Sequence, residues 1–106
     1  MTRTELNQGI KFIMELFSTF NPGEIMMLNI LRYKYANNPH LKDKSFDLFL
    51  NLLIYNGYLC LRQNNMVELT EHGYSYIHGE TDLHLSIDLF RLIPSSNDKK
   101  KYFYTV

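Results

Sequence analysis

The sequence predicts an α+β fold that is mainly α, and three observations lead to this class. Apolar residues recur at steps of three and four through most of the chain before Gly57, which is the spacing of one helical face. Two short apolar stretches then flank the polar tetrapeptide Arg62-Gln63-Asn64-Asn65, as in a β-hairpin. Leucines that alternate with polar residues after Asp82 indicate a further strand near the end of the chain.

The first helix is predicted over residues 4–20, where Thr4 or Thr2 can serve as the N-cap. Its apolar stripe consists of Leu6, Ile10, Ile13, Phe17 and Phe20. The tripeptide Asn21-Pro22-Gly23 interrupts the pattern, and Pro22 is well placed to open a second helix.

The second helix is predicted to run to about Ala36. Asn37-Asn38-Pro39 stops it, because the residue before a proline is pushed out of the α conformation. Residues 40–44 have room for one helical turn at most. The apolar stripe assigned to this helix is Ile25, Leu28, Leu31 and Tyr35.

The third helix is predicted to begin at Asp43 or Ser45, either of which can cap it. It ends at Asn56-Gly57, because glycine accepts the left-handed conformation that is common at helix ends. Its core-facing residues are Phe46, Phe49, Leu50 and Leu53.

A hairpin follows, with strands predicted over residues 58–61 and 66–69. Thr70 can cap a fourth helix, and Glu71 lies in its first turn, where an acid favours the helix dipole. Tyr74 and Ile77 are predicted to face the core, and Gly79 to end the helix.

The last segment, residues 81–106, is predicted to form a C-terminal β-hairpin. Leu83, Leu85, Ile87 and Leu89 alternate with polar residues, and the end of the chain, KYFYTV, suits a closing strand. Phe90 breaks the alternation, so a helix stays open as the alternative.

Length and composition place the chain in the class of ordinary globular proteins. It has 106 residues, which suits one domain, with 45% hydrophobic residues and a formal net charge of +0. One cysteine, Cys60, fits a reducing compartment. We see no signal peptide, and the apolar run FLNLLIY is too short to span a bilayer. The cytoplasm is therefore the expected location.

The stretch NLLIYNGYLCLRQNNMVELTEHGYSYI resembles the second half of a winged helix-turn-helix domain, as in MarR-like and PadR-like regulators. The residues that carry the resemblance are Leu53, Gly57, Tyr58, Leu59, Leu69, Thr70 and Gly73. The resemblance covers about residues 22–78. It implies one winged-helix domain, with residues 4–20 as an added N-terminal helix and residues 81–106 as an extension.

The resemblance also implies a partner. In this family the third helix enters the major groove of double-stranded DNA and the hairpin, or wing, touches the backbone or the minor groove. The candidate DNA-binding residues are Lys42, Lys44, Ser45, Asn51, Arg62, Gln63, Asn64 and Asn65. Arg32 and Lys34 are further candidates for phosphate contacts. The expected function is then that of a small transcriptional regulator, acting as a dimer through the two added ends.

The residues of the third helix also support a different interpretation. Asp43 and Asp47 would place negative charge beside a polyanion. Leu48, Leu52 and Tyr55 are better suited to a surface that faces protein. The alternative is therefore a winged-helix interaction subunit of a larger assembly, of the chromosome-organising or defence type, that does not read DNA sequence.

No pattern of catalytic residues or metal ligands is evident. His72, His78 and His84 are six residues apart, whereas helical metal pairs are three or four apart. Cys60 has apolar neighbours, as an inert core cysteine does. We therefore expect neither an enzyme nor a bound metal or cofactor.

Overall fold

The computed structural model describes residues 3–41 and 45–85, and in this part of the chain it is a mainly α, α+β domain. It contains four α-helices and a three-stranded antiparallel sheet with the order β1-β3-β2. The elements are α1 (Arg3–Glu15), β1 (Ile25–Met27), α2 (Leu28–Ala36), α3 (Phe46–Tyr55), β2 (Leu59–Arg62), β3 (Met66–Leu69) and α4 (Glu71–Ile77). The predicted fold class is confirmed at this level.

The predicted second helix is wrong at its start. A turn follows Asn21, and residues 25–27 form β1, so α2 begins only at Leu28. β1 lies along β3, with Met26 opposite Val67. The Leu69 N–H donates to the Glu24 carbonyl at 3.0 Å, which extends the pairing. β3 thus gains a second neighbour about forty residues earlier in the chain, which helical spacing alone does not reveal.

Helix α1 is an integral part of the core. Ile10, Ile13 and Met14 are at most 1% exposed, and Phe17, in the turn after the helix, is fully buried. The helix ends at Glu15, five residues before its predicted end. The outward side of α1 is polar. A contact between copies through α1, as predicted from the sequence, would therefore be polar.

The boundaries of α3 are confirmed. The Ser45 hydroxyl oxygen accepts a hydrogen bond from the Leu48 N–H at 3.2 Å, which makes Ser45 the N-cap. The helix ends at Tyr55, and Gly57 then takes φ of +82°, a conformation that favours glycine. The chain turns directly from α3 into β2.

The junction between β3 and α4 is closely packed. The Thr70 hydroxyl accepts from the Gly73 N–H at 3.0 Å, and it lies 2.9 Å from the carbonyl oxygen of Tyr58, to which it can donate. A Cβ atom at Gly73 would lie 2.2 Å from that same Tyr58 oxygen. The predicted cap on α4 is confirmed, and Gly73 allows α4 to lie close to the backbone that enters β2.

The predicted C-terminal hairpin is only partly within the described residues. Residues 82–85 form no strand, but Leu83 and Leu85 pack against the core while His84 is exposed, so the alternation is present. The His84 N–H donates to the Tyr58 hydroxyl at 2.8 Å and holds this segment against the core. Residues 86–106, which include the rest of the predicted hairpin, lie outside the described residues.

Tyr35 carries a buried hydroxyl that lowers the stability of the fold, which the sequence did not indicate. Its side chain is 2% exposed, its ring packs beside Phe12, Phe46 and Phe49, and its hydroxyl has no hydrogen-bond partner in the described part of the chain. We expect Tyr35→Phe to raise the free energy of unfolding by about 1–3 kcal/mol, because an unsatisfied polar group leaves the core. Urea denaturation measures this, and Tyr33→Phe, at a 67% exposed position, is the matched control with no change.

The same hydroxyl should make stability depend on alkaline pH. Burial raises the pKa of Tyr35 from 10.0 to about 12 in the folded protein. The part of the stability that comes from this difference in pKa is complete below pH 10. It is lost as the pH rises towards 12, because the hydroxyl of the unfolded chain releases its proton first. Between pH 10 and 12, stability should fall less steeply in Tyr35→Phe than in the wild type. Parallel slopes in the two proteins would contradict this assignment.

Candidate interaction surfaces

The tip of the β2–β3 hairpin is polar and exposed. Gln63, Asn64 and Asn65 form a single 3₁₀ turn, and all three are exposed. Asn64 and Asn65 have φ of +61° and +57°, a left-handed conformation that asparagine tolerates better than most residues. The predicted polar tip therefore exists, and its amide groups face the solvent.

Arg62, the cation of this hairpin, is engaged by an acid of the same hairpin. Its Nε donates to the carboxylate of Glu68, which lies diagonally across the sheet on the outer face. The hydrogen bond and the charge of Glu68 raise the pKa of Arg62 above its ordinary value. A phosphate at this site would have to compete with Glu68. Because the Arg62 side chain is solvent-exposed, the pair is weak enough to be broken by a stronger partner.

The outer side of α3 carries little that suits DNA. Its sequence, FDLFLNLLIY, contains no Lys or Arg. Asp47 is exposed and forms an ion pair with Arg32 of α2 at 2.9 Å, and Arg32 also lies 5.0 Å from the centre of the Phe46 ring. Asn51 is half-buried. Two further candidates, Lys42 and Lys44, lie outside the described residues.

The predicted protein-facing group on α3 needs a correction. Leu52 is 2% exposed and belongs to the core, whereas Leu48 and Tyr55 are half-buried. The reason is that α3 packs against α1 and also against β2. At about 100° per residue, its buried positions cover a sector of about 160°, wider than the stripe we assigned to it. Leu52 therefore stabilises the fold and cannot contact a partner.

A different apolar surface is exposed on β1 and α2. It consists of Ile25, Met27, Ile30 and Tyr33, which are 49%, 47%, 43% and 67% exposed, and we call it the β1–α2 patch. The alternation of β1 buries Met26 and turns its two neighbours outwards. From Met27, steps of three residues continue along one side of α2. The patch is thus continuous from the sheet onto the helix.

The helical interpretation of residues 25–35 did not predict this patch. The sequence placed Ile25 on a buried helical stripe, whereas in the structure α2 buries only Leu31 and Tyr35. One signal was present: the stretch IMMLNIL has more large apolar residues than one helical face can bury. That excess points to a second, outward-facing apolar surface.

The described residues show no arrangement suited to metal chemistry. In residues 3–41 and 45–85, no three His, Cys, Asp or Glu side chains are grouped so that they could hold a metal ion. His72 packs on the ring of Tyr58, with the ring centres 4.1 Å apart. Cys60 is half-buried on the outer face of the sheet, beside Glu68, so it is less enclosed than we predicted.

No protein-family model matches the chain, and no curated protein or solved structure matches it either. In the described ranges no helix has the length and apolar character needed to cross a membrane. The function therefore has to be argued from the exposed surfaces.

Proposed function

We propose that this chain is a winged-helix protein that binds protein rather than reading DNA sequence, and that it has no catalytic activity and needs no cofactor. Support for the winged helix comes from the element order. α3 leads through Asn56-Gly57 into the β2–β3 hairpin, and Thr70 then caps α4, as the resemblance implies. The alternative identified from the sequence, an interaction subunit of a larger assembly, is the function that the surfaces support best.

The β1–α2 patch is the observation that carries the proposal. Four large apolar side chains follow one another along β1 and the start of α2, each with two-fifths or more of its surface exposed. Contiguous apolar surface of this kind marks interaction sites, because its removal from water favours association. The four side chains carry no charge, and the residue opposite Ile25 on β3 is the acid Glu68, so a polyanion gains little there.

The charges on the helix and hairpin that would face DNA support the same choice. α3 brings Asp47 and no cation, and both Arg32 and Arg62 are paired with acids of the protein itself. Non-specific affinity for DNA comes mainly from Lys and Arg on phosphates. The formal net charge of +0 adds no long-range attraction.

DNA binding by a dimeric regulator is the second candidate, and the hairpin tip favours it. Gln63, Asn64 and Asn65 present amide donors and acceptors on a narrow projection, which suits groove contacts. Asn51 would then contribute from α3.

Binding to a labelled DNA duplex separates the two candidates. We expect no binding by the wild type at about 50 mM salt, whereas a DNA-binding protein binds there and is released steeply by about 200 mM. Two variants sharpen the comparison. If the hairpin binds DNA, Glu68→Gln should strengthen binding by releasing Arg62, and Arg62→Ala should weaken it. Salt-dependent binding with these opposite effects would establish the DNA function and refute ours.

Protein binding through the patch is tested by quantitative affinity purification from the source cells. Tyr33→Glu places a charge on the most exposed side chain of the patch and should abolish recovery of the protein bound by the wild type. Leu61→Glu is the matched control, because Leu61 is 43% exposed but lies on β2, the opposite edge of the sheet. Equal recovery with both variants would refute the proposal.

A further inference from the structure

We infer that the β1–α2 patch binds a second copy of this chain, with the two copies antiparallel about a two-fold axis. This inference rests on the proposed protein-binding function and names the partner. A two-fold contact requires a surface that is complementary to itself, so that each end of one copy fits the other end of its mate. The patch has two features of that kind.

The first feature is a projection at one end and a groove at the other. Tyr33, the most exposed side chain of the patch at 67%, stands at the α2 end. At the β1 end there is an open groove of about 550 Å³, lined by Thr19, Phe20, Gly23, Glu24 and Ile25. An antiparallel arrangement places each Tyr33 over the groove of the other copy. Met27 and Ile30, in the middle of the patch, then meet at the axis.

The second feature is the charge at the two ends. Glu24 precedes the patch and Lys34 follows it, and both are exposed. In the antiparallel arrangement the Glu24 carboxylate of one copy faces the Lys34 ammonium of the other, twice in each dimer. A parallel arrangement would place like charges together. Such pairs add little affinity, but they select the orientation.

The test is the oligomeric state of the purified full chain, measured by sedimentation equilibrium from about 1 to 100 μM. We expect a dimer for the wild type. Tyr33→Glu should weaken dimerisation by about 100-fold or more, because the aromatic contact with the groove is lost twice. Leu61→Glu should leave it unchanged. Circular dichroism of each variant checks that it is folded.

A charge exchange tests the orientation independently of the apolar contact. Glu24→Lys and Lys34→Glu should each weaken the dimer by about 3- to 10-fold, and the double variant should recover most of the wild-type affinity. A monomer up to 100 μM, a dimer that Tyr33→Glu leaves intact, or a double variant weaker than both single ones would overturn the inference. If the chain is monomeric while Tyr33→Glu still loses a bound cellular protein, only this inference fails, and the proposed function stands.

Discussion

Leu52→Ala is expected to lower the free energy of unfolding by about 2–5 kcal/mol, because it leaves a cavity in a closely packed core. The Leu52 side chain is 2% exposed, with Leu53 and Phe49 fully buried beside it on the same helix. A two-state urea titration followed by circular dichroism measures the loss. For a domain of this size the change is a large part of the total stability.

Leu48→Ala is the control, since Leu48 lies on α3 one turn earlier and is half-buried. Leu48→Ala should lower the free energy of unfolding clearly less than Leu52→Ala does. Equal, small losses at the two positions would mean that Leu52 faces solvent. The sequence-based assignment of Leu48, Leu52 and Tyr55 to one protein-facing group would then be restored.

Gly73→Ala is expected to cost more than about 3 kcal/mol and could prevent folding, although alanine is ordinarily the better helix former. The new Cβ would lie 2.2 Å from the Tyr58 carbonyl oxygen and 2.9 Å from the Leu69 side chain. The carbonyl belongs to backbone that enters β2, so it cannot move without disturbing the sheet. Relief of this overlap requires α4 to move away from the hairpin.

Thermal denaturation of Gly73→Ala beside Ser75→Ala tests this packing. Both substitutions fall on α4, but only the first meets backbone, so Ser75→Ala should remain close to the wild type. The Thr70 cap gives a second observable. Displacement of α4 in the variant breaks the hydrogen bond from the N–H of residue 73 to the Thr70 hydroxyl. Faster amide hydrogen exchange at residue 73 should follow. A Gly73→Ala protein as stable as the wild type would show that α4 does not approach β2 this closely.

The region from α3 to α4 could be predicted from sequence because its signals are local. Ser45 and Thr70 cap helices within three residues of themselves, and Gly57 follows the end of α3 directly. The polar hairpin tip is likewise a property of four consecutive residues. Each of these features depends on neighbours in the chain, so the residue types alone indicate it.

The candidate site was less predictable, because exposure depends on distant packing. The sequence indicated Arg32 and Arg62 as candidate cations, but it did not indicate which acids pair with them. Asp47 lies fifteen residues from Arg32, and Glu68 reaches Arg62 across the hairpin. Ion pairs of this kind change what a surface can bind without changing its composition.

The sequence by itself determined the mainly α, α+β class, three of the four helix starts, the hairpin and the cap at Thr70, since these follow from periodicity and from local hydrogen bonding. Only the tertiary structure decided that residues 25–27 form a strand, that Leu52 is buried and that Tyr33 is not. β1 exists because β3 offers it an edge, and an apolar side chain is buried only where another element covers it. Both conditions join residues far apart in the chain, so the position of the surface proposed to bind a partner was decided only in the folded protein.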